Sequence, residues 1–166
     1  KVLIPLNEQE VIKAVEELLD EGVQSIGIVF LCSYTNPVHE QRAKSIARRV
    51  IEAQGKNVPV VTSAEVCPRR EESTRMKCVL LECYGAEHTR AQLLAVEEAA
   101  KKDHYPHELA TLLLYGAVAS VRHPRLYETV VSGPIGGIMG GKALAEIKGW
   151  QNVVCCDLGG TTFDVG

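Results

Sequence analysis

The run VQSIGIVFLCSY, residues 23–34, constrains the fold more than any other stretch, because it is almost continuously apolar and rich in β-branched and aromatic residues. A run without polar alternation is the pattern of a strand covered on both faces. Helical patterns flank it. Before it, NEQEVIKAVEELLDEG offers Asn7 as a cap, Glu10 three residues later, apolar residues at Val11, Ile12, Val15, Leu18 and Leu19, and a stop at Gly22. After it, PVHEQRAKSIARRVIEAQG carries Pro37 in its first turn and Gly55 at its end. The pattern predicts helices over 8–21 and 37–54 around a buried strand near 24–33.

The alternation continues downstream. NVPVVTS reads as a short strand, residues 69–103 as helical with a break near Gly85, and residues 108–121 as a strand and turn. GGIMGGKALAEIKG reads as a glycine-rich helix, with a glycine-rich loop as the competing reading, and NVVCCDLGG as a buried strand entering a turn. Strands alternating with helices imply parallel pairing through right-handed crossovers, hence an α/β layered fold.

At 166 residues and 46% hydrophobic, the chain is long enough for one buried core and too short for two full domains. Eighteen Lys plus Arg against 21 Asp plus Glu leave a net charge of −3, so nothing electrostatic favours a nucleic-acid or acidic-membrane partner. Apolar stretches such as ALAEIKGWQNVVCC meet charge well short of the roughly 20 residues a membrane span needs. The six cysteines at 32, 67, 78, 83, 155 and 156 include no C-x-x-C pair, which fits free thiols in a reducing cytoplasm. The start KVLIPLNEQE has neither Met nor a targeting pattern, and reads as cut from something longer.

Chemistry concentrates in VVCCDLGGTTFDVG, residues 153–166. A strand ending at a sheet edge delivers its turn to the place where open α/β folds bind ligands. Gly159 and Gly160 permit positive φ and close backbone approach to an anion, and Thr161 and Thr162 add hydroxyl donors. Asp157 and Asp164 would repel a bare phosphate but suit hydrated Mg²⁺, which is often held through one or two carboxylates and phosphate oxygens. A tight hairpin turn capped by Asp or Thr is the competing reading of a bare D-x-G-G.

The string DLGGTTFDVG resembles the second phosphate motif of the actin-like ATPase superfamily. Together with FLCSYTNPVHEQRA and YETVVSGPIGG it resembles the hydantoinase A and 5-oxoprolinase family, and within it the acetone- and acetophenone-carboxylase branch. That resemblance implies a ribonuclease-H-like layered fold, present in part, with an ATP cleft between two domains. Residues 1–131 would be the back of the first domain, 132–149 an inter-domain helix, and 150–166 the first strand and phosphate loop of the second. It further implies that Asp157 and Asp164 are catalytic and hold Mg²⁺ through water. Gly159, Gly160, Thr161 and Thr162 would line the phosphates of ATP, with Gly133 and Gly136 also on the nucleotide side. The implied partners are a hydantoinase-B-like large subunit, a small third subunit in the carboxylase branch, and a small ketone or cyclic amide. The segment LLYGAVAS departs from the family pattern, with Ala117 in place of the second glycine of a pair.

Other conspicuous residues take plainer readings. His39 and Glu40 on an early helical turn read as capping and surface contacts, and His104 and His107, separated by Pro106, as a solvated linker. Cys155 and Cys156 point to opposite faces of a strand and cannot chelate one metal. Three functions stay open: an ATP-dependent carboxylase that activates a ketone and bicarbonate by phosphorylation, an ATP-dependent hydrolase of cyclic amides such as hydantoin or 5-oxoproline, and a non-catalytic ATPase-fold module. Phosphoryl transfer depends on positioning and charge from a complete cleft. The 166-residue chain alone is therefore expected to show no ATP hydrolysis above background in a coupled assay, and measurable turnover would overturn that expectation.

Overall fold

Asn7 caps the first helix as its side chain allows: Oδ1 accepts the N–H of Glu10 at 3.4 Å, and helix α1 runs Glu8–Asp20. The computed structural model describes residue 2 and residues 4–166, which divide into two compact units, 1–88 and 89–166.

In the first unit α1 is followed by strand β1 (Ile26–Ile28), helix α2 (Val38–Ala53), strand β2 (Val60–Thr62) and the short helix α3 (Ser63–Val66). β1 and β2 pair in parallel, Ile26 opposite Val60 and Ile28 opposite Thr62, with α2 as the crossover. Val15, Leu19, Ile26, Ala47, Ile51 and Val60 form the core, so the apolar stripes of α1 and α2 meet the strands as their spacing requires. The sheet approaches helix α4 (Glu72–Lys102) at Gly27, where a Cβ would lie 2.6 Å from Val79 Cγ1 and 3.3 Å from Cys83 Sγ.

The strand expected near 24–33 is cut to three residues. The chain leaves the ladder because both backbone groups of Phe30 are taken by side chains. Its N–H donates to Glu40 Oε1 at 2.8 Å, and its carbonyl accepts from Arg75 Nη2 at 2.8 Å. A turn follows in which Leu31 is 80% exposed and Cys32 adopts φ 56°. Glu40 is accordingly not a surface residue: it is fully buried among hydrogen-bond donors, which corrects the capping reading.

The second unit contains the last part of α4, an antiparallel hairpin of β3 (Ala110–Leu112) and β4 (Val118–Ser120), and a 3₁₀ turn at Leu126–Thr129. Helix α5 (Ser132–Lys148) and a second antiparallel hairpin of β5 (Cys156–Leu158) and β6 (Phe163–Val165) complete it. No break occurs near Gly85: α4 is continuous over 31 residues. One glycine costs a helix about 1 kcal/mol, and burial of Val79 and Ala86 on either side outweighs that. β5 is not buried, because among the described residues it pairs with β6 alone, and Leu158 stays 81% exposed. The glycine-rich helix is present as expected.

Glu97 ties α4 to the first hairpin. Its carboxylate, 1% exposed, accepts from Arg122 at 2.5 and 3.0 Å, from Lys101 Nζ at 2.9 Å and from the Leu109 N–H at 3.1 Å. The Arg122 contacts, then Lys101, hold its pKa down to about 2. A folded pKa below the unfolded value of about 4.3 means that Glu97 stabilises the fold fully above that value, and that the contribution is lost as pH falls toward about 2. Urea midpoints of wild type should therefore drop more steeply between about pH 4.5 and 2 than those of Glu97→Gln. Parallel slopes would refute the assignment.

Candidate functional site

The last two strands place the two motif aspartates face to face. Asp157 on β5 stands directly opposite Asp164 on β6. Like charges at opposed positions of an antiparallel pair destabilise it, so this arrangement favours a cation between them. Both line a cleft of about 530 Å³ together with Pro134, Gly137, Ile138 and Cys155, within the size range of small-molecule sites. Among the described residues no group of three or more His, Cys, Asp and Glu is placed to hold a metal. Two carboxylates without further protein ligands fit Mg²⁺, which keeps several waters and shares phosphate oxygens, better than a metal caged by protein.

Helix α5 forms the wall of the cleft, and its glycines divide by role. A Cβ on Gly141 would collide with Cys155 Sγ, and one on Gly136 would lie 3.1 Å from Leu112 Cδ2. Close packing thus explains two of the five glycines, since Gly133, Gly137 and Gly140 face open space. The two contacts seat β3 against the helix at Gly136 and β5 at Gly141. Cys155 adds a long 3.9 Å contact to the Gly137 carbonyl, while its own N–H and C=O pair with Gly166 at 2.8 and 3.0 Å. Cys155 lies one residue before β5 and its pairing with Gly166 extends the ladder, so Cys155 and Asp157, two residues apart in extended chain, share a face. Val131, just before α5, adopts φ 58°, an uncommon conformation for a β-branched residue.

The loop 159–162 closes the hairpin beside the cleft. Gly159 donates its N–H to the Thr162 carbonyl at 2.9 Å, and Thr162 Oγ1 donates to Asp164 Oδ2 at 3.3 Å. Neither Gly159 nor Gly160 uses positive φ. A Cβ at Gly159 would lie 3.4 Å from the Thr162 carbonyl oxygen, an ordinary van der Waals contact, so neither positive φ nor close packing requires glycine there. The structure therefore unites Asp157, Asp164 and the α5 face. It leaves Thr161 and Gly160 at the loop tip, turns Gly136 toward Leu112, and leaves Gly133 open.

Four buried carboxylates, Glu40, Glu82, Glu97 and Glu128, escaped the sequence reading. The side chain of Glu128 meets His123 Nε2 at 2.9 Å, Tyr115 Oη at 3.1 Å and Tyr127 Oη at 3.3 Å. Burial pushes its pKa up, but the hydrogen bonds from His123 and Tyr115 and the charge of Arg125 outweigh this and lower it. Its backbone carbonyl accepts from Leu114 at 2.6 Å, fastening the first hairpin to the turn that enters α5. A lone Glu in YET carries no spacing signal that would have revealed this.

A family model described as "Hydantoinase/oxoprolinase" matches residues 75–166, and one described as "Hydantoinase/oxoprolinase N-terminal region" matches 1–51. The chain is 37% identical to the acetone carboxylase beta subunit of Xanthobacter autotrophicus over 98% of its own length and 23% of that protein. A nucleotide-free acetone carboxylase structure superposes with a TM-score of 0.92 at 37% identity, over 99% of this chain and 23% of that one. The ATP-dependent caprolactamase of Pseudomonas jessenii gives 0.84 at 26% identity, over 99% and 24%. The chain thus spans about a quarter of the length of these relatives.

The contact between Gly141 and Cys155 yields a size-exchange test. Gly141→Ala should destabilise the chain by about 1–3 kcal/mol, and adding Cys155→Ala should recover most of the loss by removing the sulfur. Additive losses in chemical denaturation of the double variant would show that the two residues do not interlock.

Proposed function

Because the chain belongs to the hydantoinase/oxoprolinase family, we propose that its Asp157–Asp164 cleft is the magnesium and phosphate side of an ATP site in an enzyme that activates carbonyl compounds, as a ketone carboxylase does. The observation that carries this is the direct opposition of the two carboxylates at the cleft beside α5. Asp157 and Asp164 would hold Mg²⁺ through its waters. When bound, Mg-ATP supplies an activating phosphoryl group for a carbonyl oxygen.

The protein's own contribution is placement. The ladder between β5 and β6 fixes the separation of the carboxylates, and the fit of Cys155 against Gly137 and Gly141 fixes their distance from the helix. Thr162 Oγ1 donates to Asp164 and orients that carboxylate. Gly160 and Thr161 at the loop tip would present backbone N–H groups to phosphate oxygens of bound nucleotide, whereas Gly159 uses its own N–H within the loop. Gly136 acts through packing, by seating the helix on β3.

In this reading residues 1–131 belong to a first domain, 132–149 form the connecting helix, and 150–166 open a second domain. The subunit names of the relatives support a multi-subunit enzyme; a hydantoinase-B-like large subunit and a small third subunit are the partners we propose for it. Six free cysteines fit a cytoplasmic site, and no helix among the described residues is long and apolar enough to cross a membrane. Likeness to caprolactamase supports cyclic-amide hydrolysis as the second reading, using the same phosphate apparatus.

In the full-length subunit with its partners, Asp157→Asn and Asp164→Ala should each lower ATP consumption by about 10²–10³, or about 3–4 kcal/mol. Nucleotide affinity and melting temperature should change far less. Steady-state turnover, nucleotide titration and thermal melts on the same preparations check this, and near-normal turnover in both variants would sink the site.

A further inference from the structure

Helix α5 holds more glycine than its packing uses. Glycine is among the poorest residues for a helix interior, so each one kept there calls for a compensating role. Gly136 and Gly141 have theirs in the close approach of Leu112 and Cys155. Gly133 is the second residue of the helix and lies outside its interior. Gly137 and Gly140 remain. Both are interior and neither has positive φ. Among the described residues no atom lies within 4 Å of where a Cβ would stand on either. A methyl group fits at both positions, and alanine would strengthen the helix at both.

The cleft separates the two. Gly137 lines it, together with Pro134 and Ile138 of the same helix, and Gly140 does not. Pro134 and Ile138 are four residues apart, as are Gly137 and Gly141, so these positions share one side of the helix. That side meets the hairpin at two fixed contacts. Cys155 Sγ occupies the space over Gly141, and Ile138 occupies the space over Gly166, where a Cβ would collide with it. The backbone of Gly166 is in turn paired with Cys155 at 2.8 and 3.0 Å, so helix and hairpin are held at one separation. Beside these contacts Gly137 presents bare backbone to the cleft. Glycine in such a place allows a ligand to approach the main chain closely, and a local rule broken without a packing reason is expected at a functional site.

The opposite wall decides what enters that space. Asp157 and Asp164 face one another across the hairpin and line the same cleft. They repel a phosphate chain unless a cation stands between, so the chain takes the part of the cleft away from them. The helical wall there consists of Pro134, Gly137 and Ile138, which carry no charge. Such a wall contributes clearance, not attraction.

We infer that Gly137 is a specificity-determining residue of the cleft: its missing side chain makes room for the phosphate chain of Mg-nucleotide, and a methyl group there closes that room without disturbing the fold. The inference rests on the reading of Asp157 and Asp164 as the magnesium side of an ATP site.

The test uses the full-length enzyme with its partner subunits. Calorimetry gives Kd for Mg-ATP and for Mg-tripolyphosphate, and thermal melts of the unliganded protein run beside it. Gly137→Ala should weaken both ligands about tenfold, the low end of what one added carbon does in a fitted pocket, and its melting temperature should not fall. Gly137→Leu should weaken them further. Gly140→Ala, equally interior but outside the cleft, should leave both Kd values unchanged. Unchanged Kd in both Gly137 variants would overturn the inference, as would an equal loss in Gly140→Ala or a loss in Gly137→Ala that comes with a lower melting temperature. Mg-tripolyphosphate that fails to bind wild type, or binds Gly137→Ala unchanged while Mg-ATP weakens, would overturn the assignment to the phosphate chain. If Asp157→Asn loses turnover while the Gly137 variants keep wild-type Kd, the role of Gly137 falls and the magnesium site stands. If Asp157→Asn consumes ATP as wild type does, the magnesium site falls and takes the inference with it.

Discussion

A carboxylate sealed from water organises residues 1–88. Glu40 has no exposed surface, so its charge must be balanced by donors from the surrounding chain. Those donors are the Phe30 N–H, the Ser63 hydroxyl and the Ala64 N–H, which belong to the ends of both strands. Meeting the demand of one side chain thus draws the ends of β1 and β2 to the first turn of α2. Arg75 completes the arrangement from α4 by taking the Phe30 carbonyl and Ser33. The end of β1 follows, because Phe30 cannot serve both a ladder and this network.

Residues 89–166 solve a different problem with different means. Helix α5 has no buried residue, yet it meets β3 at Gly136 and β5 at Gly141. Apolar burial contributes little to that seating; missing side chains contribute the fit. Glu97 and Glu128 then fasten the first hairpin through charge, one from α4 and the other from the turn before α5. Placement of Asp157 depends on this chain of contacts, through Cys155 at the entry to β5.

Legibility followed the range of the interactions. Helices α1 and α2 were plain, because caps and apolar periodicity are local, and Asn7 and Gly55 mark ends that involve few neighbours. Parallel pairing of β1 with β2 was legible from the alternation of elements. The length of β1 was not, since it is set by Arg75, 45 residues away from Phe30. Gly85 misled because the helix penalty is local while the compensating burial of Val79 and Ala86 is tertiary. The two motif aspartates were conspicuous in DLGGTTFDV, and their spacing around a turn made their opposition across a hairpin geometrically simple. Glu40 and Glu128 look like any surface glutamate until the chain is folded around them.

The single tryptophan of the chain, Trp150, lies where α5 gives way to the segment leading into β5. Its backbone N–H donates to the Ala145 carbonyl at 2.9 Å, so it is tied to the end of the helix, while its side chain remains 55% exposed. Indole emission shifts with the polarity around the ring. The molecule therefore carries one intrinsic fluorophore at the joint between the helix and the hairpin that bears both aspartates, and a change in the water around that joint registers as a colour change with no dye attached.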